Sequence, residues 1–177
     1  MFAKLDENKL KKKATLKNNL LQKLKTEAKK YMKGFEEIED KLFPKKTVVV
    51  VYHLENHLEL YAVQDKPVLF RLGSGQVFPH LFIAMSYPGM LPAVYVDDGA
   101  VRALLRGADL MAPGIKQLPE PFEAGQVIEI RLLEQTVPFA LGLAKVDSTE
   151  INANTKGVAI EIVHILKDDL WNKRNGL

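Results

Sequence analysis

The chain has 177 residues, 47% of them hydrophobic and 27% charged, with a formal net charge of +3. That length forms one large domain or two small ones and buries enough surface to need no cross-links. It holds no cysteine, which excludes a disulfide framework, a thiolate zinc site and a cysteine nucleophile, and no apolar run approaches the ~18 residues of a membrane span.

The charge is unevenly divided. Residues 1–46 carry 14 Lys and 7 acids, whereas residues 47–177 carry 11 Lys and Arg against 15 acids. The basic end is therefore the electrostatic footprint, and any nucleic-acid contact elsewhere has to come from a local patch. The start has neither the apolar stretch of a secretory signal nor the Arg-rich, acid-poor composition of a mitochondrial one, so the expected location is cytoplasmic.

In chain order, Leu16, Leu20, Leu24, Ala28 and Tyr31 or Met32 recur at three- and four-residue spacing and predict an amphipathic helix over 15–33. Gly34 suits its C′ position, and EEIEDKLF (36–43) predicts a second helix ending before Pro44. The period then shortens. TVVVVYH (47–53), LELYAV (58–63) and VLFRL (68–72) read as successive antiparallel strands, with Asn56 and Asp65-Lys66-Pro67 near the breaks. Gly73-Ser74-Gly75 reads as a loop, HLFIAMSY (80–87) as a short buried helix, and YPGMLP (87–92) as a punctuated linker. A domain boundary is expected near residue 92.

VDDGAVRALLRGADLMAPGI (96–115) follows a strand at 94–96. Asp97 is a good N-cap and Ala100, Val101, Leu104 and Leu105 mark a buried stripe of a helix over 98–106. Arg102 and Arg106 share one exposed face, Gly107 can end the helix in the left-handed region, and Pro113-Gly114 suits a type II turn after a strand at 109–112. Two long strands follow, 126–134 and 138–146, then a turn with Asp147 and Glu150 spaced as a capping box, then a strand over 157–166. The expected fold class is α+β: an N-terminal α/β domain (1–92) with an antiparallel sheet, then a small barrel-like domain (93–177).

Catalytic chemistry finds no anchor. Ser74, Ser86 and Ser148 lack a nucleophile-elbow setting, and LGSGQ (72–76) lacks the strand–helix context of a dinucleotide loop. His53 and His57 straddle a strand end without a carboxylate cluster, His164 reads as a packing residue of the last strand, and no metal or cofactor is expected. Trp171 is either a packing residue or an exposed anchor. The arginine pair is either a solvated helix face or a phosphate site, for which the planar guanidinium suits two parallel donors. Lys11, Lys12 and Lys13 are a solvated run, a contact for ribosomal RNA, or part of a membrane-surface helix.

VDDGAVRALLRGADLMAPGI, FEAGQVIEI and ALGLAKV together resemble the PUA domain, an RNA-binding module. A narrower resemblance spans most of the chain. The MF start, the lysine-rich helix, PKK (44–46), the YP and LP punctuation and KGVAIEIVHILKDDLW (156–171) are similar to the malignant T-cell amplified sequence family, whose yeast relatives are the translation machinery-associated proteins. The resemblance implies a PUA pseudo-barrel for the second domain. It also implies a non-catalytic translation factor that pairs with a density-regulated-type protein. Such a factor binds the small ribosomal subunit and acts on P-site tRNA in ribosome recycling and translation reinitiation. The implied RNA contacts are Gly99, Arg102, Arg106, Gly107, Ala108 and Lys116 toward the tRNA acceptor end, with Lys11, Lys12 and Lys13 toward ribosomal RNA. The sequence departs from the family pattern at Ile162, where Asn is expected, at Asp169, where Gly is expected, and in the 115–124 loop. The alternative is an RNA-targeting PUA subunit of an RNA-modifying enzyme.

Overall fold

A computed structural model of the chain describes residues 12–152 and 154–176. In the first half, β1 (Lys12–Thr15) leads into α1 (Asn18–Tyr31) and α2 (Phe35–Leu42). Strands β2 (Val49–His53), β3 (Glu59–Val63), β4 (Lys66–Arg71) and β5 (Val77–Pro79) follow, then α3 (Leu81–Ser86). The five strands form one antiparallel sheet in the order β1-β2-β3-β4-β5.

Consecutive residues of β3 and β4 are buried, so both faces of this sheet are covered. On α1, Leu24 and Ala28 face the core one turn apart, and Met32 follows them at the helix end. The predicted helix over 15–33 begins later than its periodicity implies, because residues 12–15 pair with β2 and Leu16 continues that ladder by donating to Val49 O. Leu20, predicted on the buried face, is exposed. The β3–β4 turn comes early as well. Gln64 and Asp65 both take positive φ, as a two-residue hairpin requires, and Pro67 sits inside β4 opposite a register shift at Tyr61/Ala62.

The second half contains β6 (Ala93–Val96), α4 (Asp98–Leu105), β7 (Leu110–Met111), β8 (Ile115–Gln117), β9 (Val127–Leu132), β10 (Pro138–Ala144), β11 (Val158–Ile165) and α5 (Asp169–Asn172). Its strands form a nearly closed, barrel-like sheet in the order β7-β11-β10-β9-β6-β8, in which only the β6–β9 pair is parallel. Val94, Val96, Leu104, Ile128, Ile130 and Ile160 fill its interior.

Two local expectations fail here. Pro113-Gly114 lies in a 3-10 turn (Ala112–Gly114) and not in a type II turn, since Gly114 has no positive φ and the chain enters β8 directly. Asp147 and Glu150 form no capping box. Asp147 Oδ1 instead accepts from Ala124 N at 2.8 Å, which ties the loop before β9 to the loop after β10.

The two halves share a core. Val127, Leu141, Val163 and Leu170 belong to the same apolar cluster as Phe35, Phe70 and Phe78 of the first half. The buried His80 caps α3 by accepting from Phe82 N through Nδ1, so its Nε2–H donates to Leu170 O at 3.2 Å. His80 also stacks with Trp171 and meets His164, which is fully buried. The sequence predicted His164 as a packing residue, and it is one. The connection between the halves is pinned from β9. Glu129 is fully buried and paired with Arg131, whose Nη1 donates to Tyr95 Oη. Burial pushes the Glu129 carboxyl above its usual range, against the pull of Arg131 and of the Gly89 and Leu91 amides.

Candidate nucleic-acid interface

α4 is built as its sequence predicts at both ends. Asp97 Oδ1 accepts from Ala100 N at 2.9 Å. That amide, followed by Lys116, holds the Asp97 carboxyl below its usual range. At the other end Gly107 takes φ 96°. Its amide donates to Leu104 O and the Ala108 amide to Ala103 O, which is the paired bonding of a Schellman stop. A side chain with a Cβ is disfavoured at that φ.

The chain then reverses, and Asp109 Oδ1 accepts from Ile162 N at 2.7 Å. This side chain extends the β7–β11 ladder by one bond and fixes the end of α4 against the middle of β11. Between them lies a groove of about 530 Å³. Leu105, Arg106 and Gly107 form one wall, Glu161 and Ile162 the floor, and Lys167 with the start of α5 the other wall.

The close approach of β10 and β11 shapes that floor. Gly142 sits at a register shift in this pair, and a Cβ there would lie 2.4 Å from Ile160 Cγ2 and 2.8 Å from Glu161 O. Only glycine lets the strands come this near.

The groove holds both signs of charge, but several of its carboxylates already have partners. Glu161 pairs with Lys145 at 3.1 Å. Asp168 pairs with His164 at 2.8 Å and accepts from the Ile165 and Trp171 amides. Asp109 holds Ile162. Among the described residues no carboxylate pairs with Arg106 or Lys167. Two cations therefore line one groove, together with the exposed Gly107 and the apolar Leu105 and Ile162. Such a site offers charge-assisted donors to phosphate and an apolar surface to a sugar or base.

The structure brings some of the predicted residues together and separates others. Arg106 and Gly107 line the groove, and the exposed Ala108 follows them. Arg102 is exposed one turn back along α4, outside the groove. Gly99 lies in the first turn of α4, where a Cβ would meet only Asp97 Oδ1. Lys116 is at that same far end, paired with Asp97 Oδ2 at 3.3 Å and donating to Pro113 O. Lys11 falls outside the described residues. Lys12 and Lys13 lie in β1, and Lys13 pairs with Asp65 at 3.7 Å and stands over the Tyr52 ring.

Lys167 is the groove residue that the sequence reading missed. It takes φ 71° at the turn from β11 into α5. The signal was present in KDDLW, where Asp168 is an N-cap and marks Lys167 as the exposed residue before a helix. Leu105 was predicted on the buried stripe and is exposed in the groove instead.

Among the described residues no group of three His, Asp or Glu side chains could hold a metal ion, and no helix is long and apolar enough to cross a membrane.

The Pre-PUA-like domain family matches residues 5–88 and the PUA domain family residues 92–166. Translation machinery-associated protein 20 of Saccharomyces cerevisiae is 31% identical over 97% of this chain and 98% of its own. Malignant T-cell-amplified sequence 1-A of Xenopus laevis is 29% identical over 98% of each. Among solved structures, a hypothetical protein of the archaeon Pyrococcus horikoshii superposes with a TM-score of 0.75 at 26% identity, over 92% of this chain and 99% of that one. With near full-length similarity, a Pre-PUA-like first half and a PUA second half, the chain belongs to the translation machinery-associated and malignant T-cell-amplified sequence family.

Proposed function

We propose that this protein is a non-catalytic translation factor. It binds the small ribosomal subunit together with a density-regulated-type partner, and its PUA domain, from about residue 93 onward, engages the acceptor end of P-site tRNA during recycling and reinitiation. The observation that supports this reading best is the α4–β11 groove, lined by Arg106, Lys167 and the exposed Gly107, in which neither cation has a carboxylate partner among the described residues. Family membership gives the translation role its setting.

The groove contributes position, not bond chemistry. Two cations hold a phosphate chain without reading its sequence. Each contact to a single strand contributes a slope of roughly −0.7 to the salt dependence of binding, so the PUA domain alone is a weak, salt-sensitive binder. A second attachment raises the effective concentration of the first, and the basic start, with Lys11, Lys12 and Lys13 toward ribosomal RNA, supplies one.

Co-sedimentation with purified small ribosomal subunits tests this, with and without the density-regulated-type partner, over a salt series. The expected result is binding that falls with salt, weakens when Lys11, Lys12 and Lys13 become Glu, and survives Arg106→Glu with Lys167→Glu while P-site tRNA engagement is lost. No sedimentation under any condition, partner included, refutes the reading. Modification of RNA by cell extract that depends on the added protein would favour the RNA-modification alternative.

A further inference from the structure

The first two turns of α1 expose one face to solvent. Leu24 and Ala28 are its buried residues, whereas Asn18, Asn19, Leu20 and Gln22 are exposed. A groove opens on each flank of this ridge. One, of about 350 Å³, contains a paired cluster of charges. There Arg71 pairs with Glu27 and Glu59, His53 pairs with Glu59, and Tyr61 donates to Glu59.

The other groove is different. It measures about 610 Å³ and runs between α1 and the turn that enters β2. Its floor is aliphatic. Leu16 and Leu21 are partly buried against the core, and Val48 is 58% exposed, the most exposed large apolar side chain among the described residues. Its rim is basic. Lys25, Lys45 and Lys46 line it, with Asp40 as the one carboxylate among the described residues, and Asp40 is matched by Lys25 at 3.9 Å. Among the described residues Lys45 and Lys46 have no ion-pair partner.

The turn that carries these lysines is strained. Thr47 N donates to Pro44 O, and Lys46 takes φ 66°, a left-handed conformation that glycine adopts more easily. It puts two adjacent lysines beside an exposed valine.

This composition discriminates between occupants. Proteins that take up single strands without reading sequence commonly stack bases on exposed aromatic rings. Among the described residues the one aromatic ring in the groove, Phe43, is buried, with the Lys25 ammonium 5.7 Å from its centroid. An acidic peptide with an apolar anchor satisfies both features at once, with carboxylates on the rim and an aliphatic side chain on the floor.

We propose that this groove docks an acidic peptide segment of a protein partner. One aliphatic side chain of that segment rests on Leu16, Leu21 and Val48, and flanking carboxylates pair with Lys45 and Lys46. The inference does not depend on the RNA role of the α4–β11 groove, and the two tests fail separately.

Panning a displayed library of random short peptides on the full chain tests it, followed by fluorescence anisotropy of the enriched peptides. The expected peptides carry Leu, Ile or Val between Asp and Glu. Their affinity falls about tenfold or more in Lys45→Glu with Lys46→Glu, and by a similar factor in Val48→Asp, with binding weakened by salt. Both variants change exposed residues, so thermal melting near that of the parent separates a lost site from a lost fold. Failure to enrich acidic–aliphatic peptides overturns the proposal, as does enrichment of peptides indifferent to both variants. A uridine-rich single-stranded RNA whose binding the same variants abolish also overturns it and assigns the groove to nucleic acid.

Discussion

Replacing Gly142 with Ala inserts one methyl group where β10 and β11 approach most closely. The new Cβ would lie 2.4 Å from Ile160 Cγ2 and 2.8 Å from the carbonyl oxygen of Glu161. Carbon atoms prefer separations of about 3.5–4.0 Å, so the first contact is short by more than about 1 Å. Ile160 is fully buried in the barrel core and cannot swing into solvent. The second contact is with backbone and can be relieved only by moving β11. Overpacking of this kind costs about 1–3 kcal/mol, and a clash with two rigid neighbours belongs at the upper end. For a chain of this size 2–3 kcal/mol lowers the melting temperature by roughly 4–12 °C. Because Glu161 and Ile162 line the groove, a shift of β11 is also expected to weaken the RNA binding proposed for it. Gly114→Ala is the comparison, since its Cβ would meet Leu110 Cδ1 at 2.9 Å, the far end of one buried side chain, and no backbone atom. Differential scanning calorimetry of both variants decides the matter. A Gly142→Ala protein that melts within a degree of the parent, or one no less stable than Gly114→Ala, would refute the argument from strand proximity.

Three further predictions concern the joint between the halves. Arg131→Ala leaves the fully buried Glu129 carboxylate without its partner and is expected to cost about 3–5 kcal/mol in urea unfolding; a loss below ~1 kcal/mol would show that the pair does not hold the linker. His80 is held neutral chiefly by burial, then by His164, with its pKa lowered from 6.5 to about 3. Its contribution is therefore complete above pH 6.5 and is lost as the pH falls toward 3, with a slope of at most about 1.4 kcal/mol per pH unit. Asn at this position keeps an N-cap acceptor without the titration, so the stability of the parent relative to His80→Asn should decline with acid below pH 6.5, and a pH-independent difference would contradict the assignment. Leu170→Ala removes a fully buried side chain of α5 from the shared core and should cost about 2–5 kcal/mol; a smaller loss would mean that α5 does not bind the halves together.

The legible parts of the fold are those in which local pattern and tertiary role agree. α4 could be read end to end, because Asp97, the stripe through Leu104 and Gly107 each act within one or two turns. β9, β10 and β11 could be read because long β-branched and apolar runs have one good use. β1 could not, because Lys12 and Lys13 have no strand preference of their own and are recruited by pairing with β2. β5 and α5 are too short to carry a period, and only Leu166 and Lys167 separate the end of β11 from Asp168, the cap that announces α5.

The candidate interface was half legible. Arg106 and Gly107 come from one continuous stretch, so spacing finds them. Lys167 lies about sixty positions further on and reaches the same groove only because Asp109 ties the end of α4 to Ile162. Lys116 illustrates the converse. It is close in sequence, yet β8 returns along β6 and carries it to the opposite end of the helix, beside Asp97. Helical periodicity counted Leu105 as core because it cannot see that a groove opens where the stripe meets β11.

The most direct test of the central claim places a photoreactive phenylalanine derivative at Ala108, exposed beside Gly107, and irradiates the full chain on small ribosomal subunits carrying P-site tRNA and the density-regulated-type partner. The predicted result is a cross-link to the acceptor end of the tRNA that disappears in Arg106→Glu with Lys167→Glu. A probe at this position that labels only ribosomal RNA or protein, with equal yield in that double variant, would contradict the account.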